Sequence, residues 1–277
     1  MSIPAHLPGR PPDARPDPRH PACAIVGRGR LGSTLACALG AARIDIEGPL
    51  GRDEAPQADI VLLCVPDAAI AGAAAALEAR PGRLVGHCSG ATTLVPLTGH
   101  EAFSLHPLMT VPGAVRAPGD AGSPTDADVA VDPRLFHGAA GAVAGSTPRA
   151  LQTARSLALA AGLRPIEITD ADRATYHAAA SMASNFLVTL EGAAERLGAL
   201  AGLDREALAP LVRASVENWL TVGAHQALTG PVARGDEATV AGQRAAVAGH
   251  APDLVGLFDE LAARTRDLAA TPARVAA

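Results

Sequence analysis

Apolar positions in the first two thirds of the chain alternate between short runs and longer stretches with helical period. Residues 22–26 read as a strand, 31–41 as a helix and 44–47 as a second strand. Residues 59–65 (Asp-Ile-Val-Leu-Leu-Cys-Val) form a continuous apolar run, the pattern of a strand buried on both faces of a parallel sheet. A helix is predicted over 67–79, stopped by Pro81-Gly82, with strands at 84–87 and 103–105. A strand at 139–143, a helix at 148–161 and a strand at 165–168 follow. Strands alternating with helices predict an α/β domain on a doubly wound parallel sheet. After Thr169 the strand signals cease. Helices are expected over 171–201, 210–228, 237–248 and 253–269, with Asp170, Asp236 and Asp253 at N-cap positions and Pro210 at a first helical position.

The expected organisation is a flexible proline- and arginine-rich tail (1–21), an α/β domain (22–168) and an all-α domain (169–277). The tail lacks the apolar stretch of a secretory signal. Residues 112–128, rich in Gly, Pro and Asp, are expected to form a long loop, either a lid or partly disordered. Enzymes built this way usually work in the cleft between their domains, which is where chemistry is expected.

Composition removes several classes of function. Of 277 residues, 48% are hydrophobic and 18% charged, which argues against a mostly disordered chain. The net charge of −5 leaves no electrostatic footprint for nucleic acid or an anionic membrane. No apolar run reaches the roughly 18–20 residues of a membrane span; the longest, around Ile60 to Leu77, is broken by Pro66-Asp67. A soluble, cytoplasmic protein is expected. All 23 basic residues are arginine. A Schiff-base mechanism, a catalytic lysine and a lysine-bearing phosphate loop are therefore excluded. Cys23, Cys37, Cys64 and Cys88 show no CxxC spacing and read as small core residues in a reducing compartment, with no metal site.

Gly27-Arg28-Gly29-Arg30-Leu31-Gly32 follows the first strand and opens a helix. In that setting Gly27 permits the tight turn, Gly29 a close approach of pyrophosphate, and Gly32 close helix–strand packing. The loop predicts dinucleotide binding. Glu47 lies about 20 residues after Gly27, where an NAD enzyme places its ribose-binding acid. Arg52, just beyond the second strand, suits a 2′-phosphate instead. With Arg28 and Arg30 adding positive charge, NADP(H) is favoured over NAD(H). Val65 and Pro66 at the end of the third strand, and Ser89 after the fourth, complete the predicted cofactor contacts.

His87-Cys88-Ser89-Gly90 and Ser104-Leu105-His106-Pro107 fall at strand ends, where open α/β sheets bind ligands. A histidine there is a natural proton donor near neutral pH. His177, Ser181 and Asn185 are spaced by four on an alanine-rich helix, which puts them on one face. Arg234, in the turn Leu228-Thr229-Gly230-Pro231-Val232-Ala233-Arg234-Gly235-Asp236, could anchor a carboxylate, while Asp236 reads as an N-cap.

Together the loop, His87-Cys88-Ser89-Gly90, Leu105-His106-Pro107-Leu108, Tyr176-His177-Ala178-Ala179, Ser184-Asn185-Phe186 and residues 228–236 resemble a family. It is the group of Rossmann-like bacterial proteins with a C-terminal domain of unknown function. That family is similar to the β-hydroxyacid dehydrogenase and ketopantoate reductase group, and its helical domain to the C-terminal domain of 6-phosphogluconate dehydrogenase. Those better-known reductases place a lysine four residues before the helix asparagine; here Ser181 precedes Asn185 and no lysine exists to replace it. Related proteins also commonly place a histidine a few residues after the position of Thr239-Val240, where this chain has Gln243. The resemblance implies an NADPH-dependent reductase of a small 2-oxo acid, with 2-dehydropantoate the first candidate. His106 or His177 would supply the proton, Asn185 orient the carbonyl, and Arg234 pair with the carboxylate. The rival readings are a non-catalytic NADP(H)-binding regulator and an imine reductase similar to pyrroline-5-carboxylate reductase. The alanine-rich helical domain is expected to form a homodimer.

Overall fold

The computed structural model describes residues 23–112 and 131–271. The predicted tail (1–21) and nearly all of the predicted loop (112–128) lie outside the described residues. The described chain contains one seven-stranded sheet, ordered β2-β1-β3-β4-β5-β6-β7. The strands are β1 (Cys23–Val26), β2 (Ile46–Leu50), β3 (Ile60–Leu63), β4 (Leu84–His87), β5 (Glu101–Pro107), β6 (Ala140–Gly145) and β7 (Arg164–Glu167).

Alternate residues of the central strands face opposite ways, as the two-residue period of a strand requires. Cys23, Ile25, Leu62 and Leu84 join one core cluster with α1 (Arg30–Ala41) and α3 (Pro148–Ala160). Ala24, Val61, Leu63 and Val85 join the other with α2 (Ile70–Ala75). Both faces are therefore dry, which is why the 59–65 run shows no polar alternation.

The sheet departs from the expected all-parallel arrangement at one place. β1 to β5 are parallel, but β5 pairs antiparallel with β6, and β7 runs parallel to β6. A parallel neighbour needs a crossover, usually helical. Such crossovers exist for β3–α2–β4 and β6–α3–β7, whereas none is among the described residues between β5 and β6.

The chain divides into two compact units, Met1–Met182 and Ala183–Ala277. The expected boundary is 168/169. The difference arises because α4 (Arg173–Ser181) is tied to the sheet: the Arg173 guanidinium donates to Ser104 Oγ at 2.6 Å from a fully buried position. A π-helical turn (Met182–Phe186) spans the boundary, and the second unit holds α5 (Leu187–Leu200), α6 (Arg205–Ala227), α7 (Glu237–His250) and α8 (Val255–Ala270).

Several helix ends move from their predicted places. The helix predicted over 67–79 shrinks to a 3₁₀ turn (Asp67–Ala69) and the short α2, in which Ile70 and Ala74 are the buried residues. The stretch predicted as one helix over 171–201 is divided by the π turn. Pro210 lies inside α6, since Asp204 caps the helix earlier by accepting from the Ala207 amide at 2.8 Å. Asp170 bonds Arg173 and Asp253 pairs with Arg196, so neither caps a helix through its side chain. Asp236 does cap α7, accepting from the Thr239 amide at 3.2 Å.

Candidate functional site

The sheet order reverses direction between β1 and β3, and the glycine-rich loop leaves β1 there. Such a switch point leaves a crevice beyond the carboxyl ends of the strands. Gly27 sits at φ 121°, and a Cβ on it would lie 2.2 Å from the Cys64 carbonyl oxygen. A Cβ on Gly32 would lie 2.0 Å from the Gly27 carbonyl oxygen. Only hydrogen fits at either place, so strand, loop and helix close against one another. Gly29 behaves differently: a Cβ there would meet nothing within 4 Å.

Gly29 is also the N-cap of α1, with no side chain bonded to that end and no acidic residue in the first turn. The helix thus offers its first-turn amides and positive dipole end beside open space, which fits a diphosphate. Leu31 packs its side chain on the core, so a ligand would meet only its backbone. Arg28 donates to the Pro49 carbonyl at 3.3 Å and pairs with Glu54, and Arg30 donates to the Val111 carbonyl at 3.4 Å. Arg52 is exposed beyond β2. Glu47 accepts from the Gln57 and Ala58 amides at 2.8 and 2.9 Å, which closes the loop into β3. This carboxylate is thereby engaged within the fold, at the second residue of β2.

Val65 is half-buried against the core, while Pro66 is exposed and caps the 3₁₀ turn that follows β3. Across the β3–β4 pair, Cys64 Sγ and Cys88 Sγ are 3.6 Å apart, both as free thiols. Ser89 is buried, and its hydroxyl donates to Asp67 Oδ2 at 2.7 Å while accepting from the Ala91 and Thr92 amides. One donor and both acceptor positions are thereby filled. These bonds hold the turn after β4 in place.

That turn carries Gly90 against two imidazoles: a Cβ on it would lie 2.8 Å from His106 Cε1 and 3.0 Å from His177 Cδ2. The two rings are 6.3 Å apart. His106 Nδ1 lies 2.7 Å from the Tyr176 hydroxyl. Beneath them, Arg173 bonds Asp170 at 2.9 Å and Ser104 at 2.6 Å. His87 is fully buried, with Nε2 3.0 Å from the Thr93 carbonyl and Nδ1 accepting from the Ser89 amide.

Burial holds the His106 imidazole down to about 4, with the neighbouring His177 adding to the effect. It lowers His87 too, and pushes the Tyr176 phenol up to about 12. At neutral pH, His106 is therefore an uncharged ring and Tyr176 an intact phenol. A neutral imidazole polarises a carbonyl as a hydrogen-bond donor better than it protonates one.

The sequence brought His106 and His177 into view but assigned no role to Tyr176, Arg173 or Asp67. His106 and Tyr176 are 70 positions apart, and no local pattern links them. Ser181 is half-buried at the end of α4, and Asn185 is exposed on the π turn. The π turn replaces the α-helical i→i+4 pattern from which His177, Ser181 and Asn185 were aligned in the sequence. Arg234 is exposed in the turn before α7, its amide bonded to the Gly230 carbonyl. Among the described residues no group of three or more His, Cys, Asp or Glu is placed to hold a metal ion, and no helix is long and apolar enough to cross a membrane.

The fold defines a class: a Rossmann-like, largely parallel sheet followed by a helical region. Residues 140–265 match the family described as "Domain of unknown function (DUF2520)", as the resemblance implied. No curated protein matches the chain. Among solved structures, the chain resembles a Bacteroides fragilis protein provisionally described as an NADP oxidoreductase. The TM-score is 0.71 at 17% identity, over 90% of this chain and 98% of that one. A Thermotoga maritima protein gives a TM-score of 0.68 at 22% identity, over 90% and 98%. A reductive aminase from Aspergillus terreus, in complex with NADPH and ethyl-5-oxohexanoate, gives 0.61 at 14% identity, over 90% and 97%. At these identities the likeness is one of fold.

Proposed function

We propose that this protein is an NADPH-dependent reductase of a small carbonyl compound, a 2-oxo acid, with 2-dehydropantoate as the first candidate. One observation carries the reading. The open, uncapped α1 end after β1 shares the carboxyl edge of the parallel strands with the cluster formed by the turn after β4 and by His106 near the end of β5. A dinucleotide held at the first by its phosphates would extend along the edge that bears the second. Gly27, Gly29, Leu31 and Gly32 would bind through backbone, with Val65 and Pro66 flanking the nicotinamide side. Bound there, the cofactor supplies the hydride.

NADPH is preferred to NADH because Glu47 is engaged within the fold, while Arg28, Arg30 and Arg52 are exposed around the loop. Asn185 as the carbonyl-orienting residue and Arg234 as the carboxylate partner, with His177 and Ser181 as accessory groups, are proposals from residue type. A second copy is proposed to cover the exposed apolar side chains of α5 and α6, among them Val188 at 70% and Trp219 at 53% exposure. Fluorescence of the single tryptophan, Trp219, titrated with NADPH and NADH gives affinities. A panel of 2-oxo acids then gives turnover. Oxidation of NADPH by one of them is expected. Binding without oxidation by any of them would favour the non-catalytic regulator instead.

Reduction of a C=N bond is the second reading. The reductive aminase shares the fold, and a neutral, lysine-free cluster suits an imine as well as a ketone. Cyclic imines in the same panel separate the two.

A further inference from the structure

Tyr176 is the only tyrosine in the chain. Its hydroxyl is 2.7 Å from His106 Nδ1, and the two rings meet edge to face at 5.7 Å and 89°. One helical turn earlier on α4, and on the same face, Arg173 is only 3% exposed and is fixed by Asp170 and Ser104. The phenol oxygen thus has an imidazole within hydrogen-bond reach and a buried, immobile cation nearby. Those are the two groups a phenol needs to release its proton: a donor for the oxygen left behind and a preorganised positive field. In a chain without lysine, no side-chain ammonium can supply that field.

We infer that Tyr176 is the acid of the proposed reduction, with His106 as its proton relay and Arg173 as the residue that steadies the phenolate. The inference rests on the reductase reading above. As the hydride and its electron pair form the new C–H bond, the π pair of the C=O moves onto oxygen. The O–H bond of Tyr176 breaks and its proton goes to that oxygen. The phenolate then takes the proton of His106 Nδ1 as Nε2 of the same ring takes one from water, and proton exchange of the ring with solvent restores its Nδ1–H form before the next turnover. In total, carbonyl, reduced nicotinamide and one solvent proton become alcohol and oxidised nicotinamide. This route needs Nδ1–H to point at the phenol oxygen, which leaves the phenol proton free for substrate. Burial sets the starting state, a neutral imidazole and a protonated phenol, while Arg173 draws the phenol downward. The groups facing His106 are Tyr176, His177, His87, Asp67 and Arg173.

Because Tyr176 is alone, near-ultraviolet tyrosinate absorbance of the full chain reports its ionisation without interference and without cofactor. The wild-type midpoint is expected above the ordinary phenol value of about 10. His106→Leu, checked for native circular dichroism, should raise it by about one further pH unit, since the phenolate loses its donor. An unchanged or lowered midpoint would mean that the phenol proton points at His106, and would overturn the relay. Tyr176→Phe keeps the ring and its packing. It should leave NADPH affinity intact and lower kcat about 10²- to 10⁴-fold. Wild-type turnover matched by Tyr176→Phe would remove the acid and leave the reductase reading standing. If the wild type oxidises NADPH with no carbonyl or imine, the reductase reading fails and this acid falls with it, while the titration still reports the pair.

Discussion

The two units bury their apolar residues very differently. In the first, both faces of the sheet are covered, and Ile25, Leu35, Leu62, Phe103 and Leu157 are fully excluded from water. Each such side chain contributes about 1.5–3 kcal/mol. In the second, the buried apolar residues among those described are Val240, Val247, Ala251 and Ala262. Leu200, Leu211 and Leu220 there are each more than 60% exposed. Bidentate arginine–carboxylate pairs, Arg196–Asp253 and Arg244–Asp259, orient its helices. Exposed pairs of this kind add little to stability. The first unit carries its own core. The second has helical pattern without enough of one, which is the physical basis for proposing a second copy.

The largest expected effect tests how tightly the first unit is closed. Gly27→Ala forces a side chain into a φ of 121° and against the Cys64 carbonyl. It should cost about 3–5 kcal/mol in denaturant unfolding and abolish NADPH binding. A variant as stable as wild type would show that the loop is not held as described.

Next comes the second unit. Val188→Asp or Leu220→Asp should weaken self-association at least about a hundredfold by analytical ultracentrifugation, equivalent to about 3 kcal/mol. Helical content should persist. A wild type that sediments as a monomer at micromolar concentration would instead show that the exposed face has no copy to cover it.

Acid should separate the units as well. His106 falls from 6.5 to about 4 on folding, so the unfolded chain takes up its proton first. The associated stability is complete above about pH 6.5 and is lost as pH falls through that window. Between about pH 7 and about pH 5 the loss from His106 is about 2 kcal/mol, and His87 acts in the same direction. Carboxylates of the second unit such as Asp236 and Asp253 are held below the ordinary 3.8, so their contribution is lost only at lower pH. Hydrogen exchange at the two pH values should loosen β4, β5 and α4 first. In His106→Leu that early loss should shrink.

The smallest expected effect is Gly29→Ala, whose new methyl meets open space. Stability should change by less than about 1 kcal/mol, while NADPH affinity falls about tenfold. Equal losses in both would mean that Gly29 serves packing. Arg52→Ala should weaken NADPH far more than NADH; equal weakening would remove the 2′-phosphate assignment.

Features confined to a few consecutive residues are legible in the amino-acid order by itself. The strand–glycine loop–helix at Gly27 to Gly32 is one, because its chemistry is backbone geometry set by local residue type. The strands buried on both faces are another, because continuous apolar runs encode them directly. Glu47 shows the limit: spacing places it at the end of the predicted strand 44–47, whereas it is the second residue of β2 and its carboxylate accepts from the Gln57 and Ala58 amides. The bond from Ser89 to Asp67 is equally invisible in the sequence, since a hydroxyl's partners come from another strand end.

Local order in the chain determined the α/β region, the helical region after it, the loop that opens α1 and the absence of any lysine chemistry. Tertiary structure alone decided that β6 turns antiparallel, that α4 belongs with the sheet, and that Tyr176 meets His106 over a buried Arg173. Backbone preferences act over a few residues and are written into neighbouring positions. The partners and protonation of a buried polar group depend on what long-range packing removes from water around it.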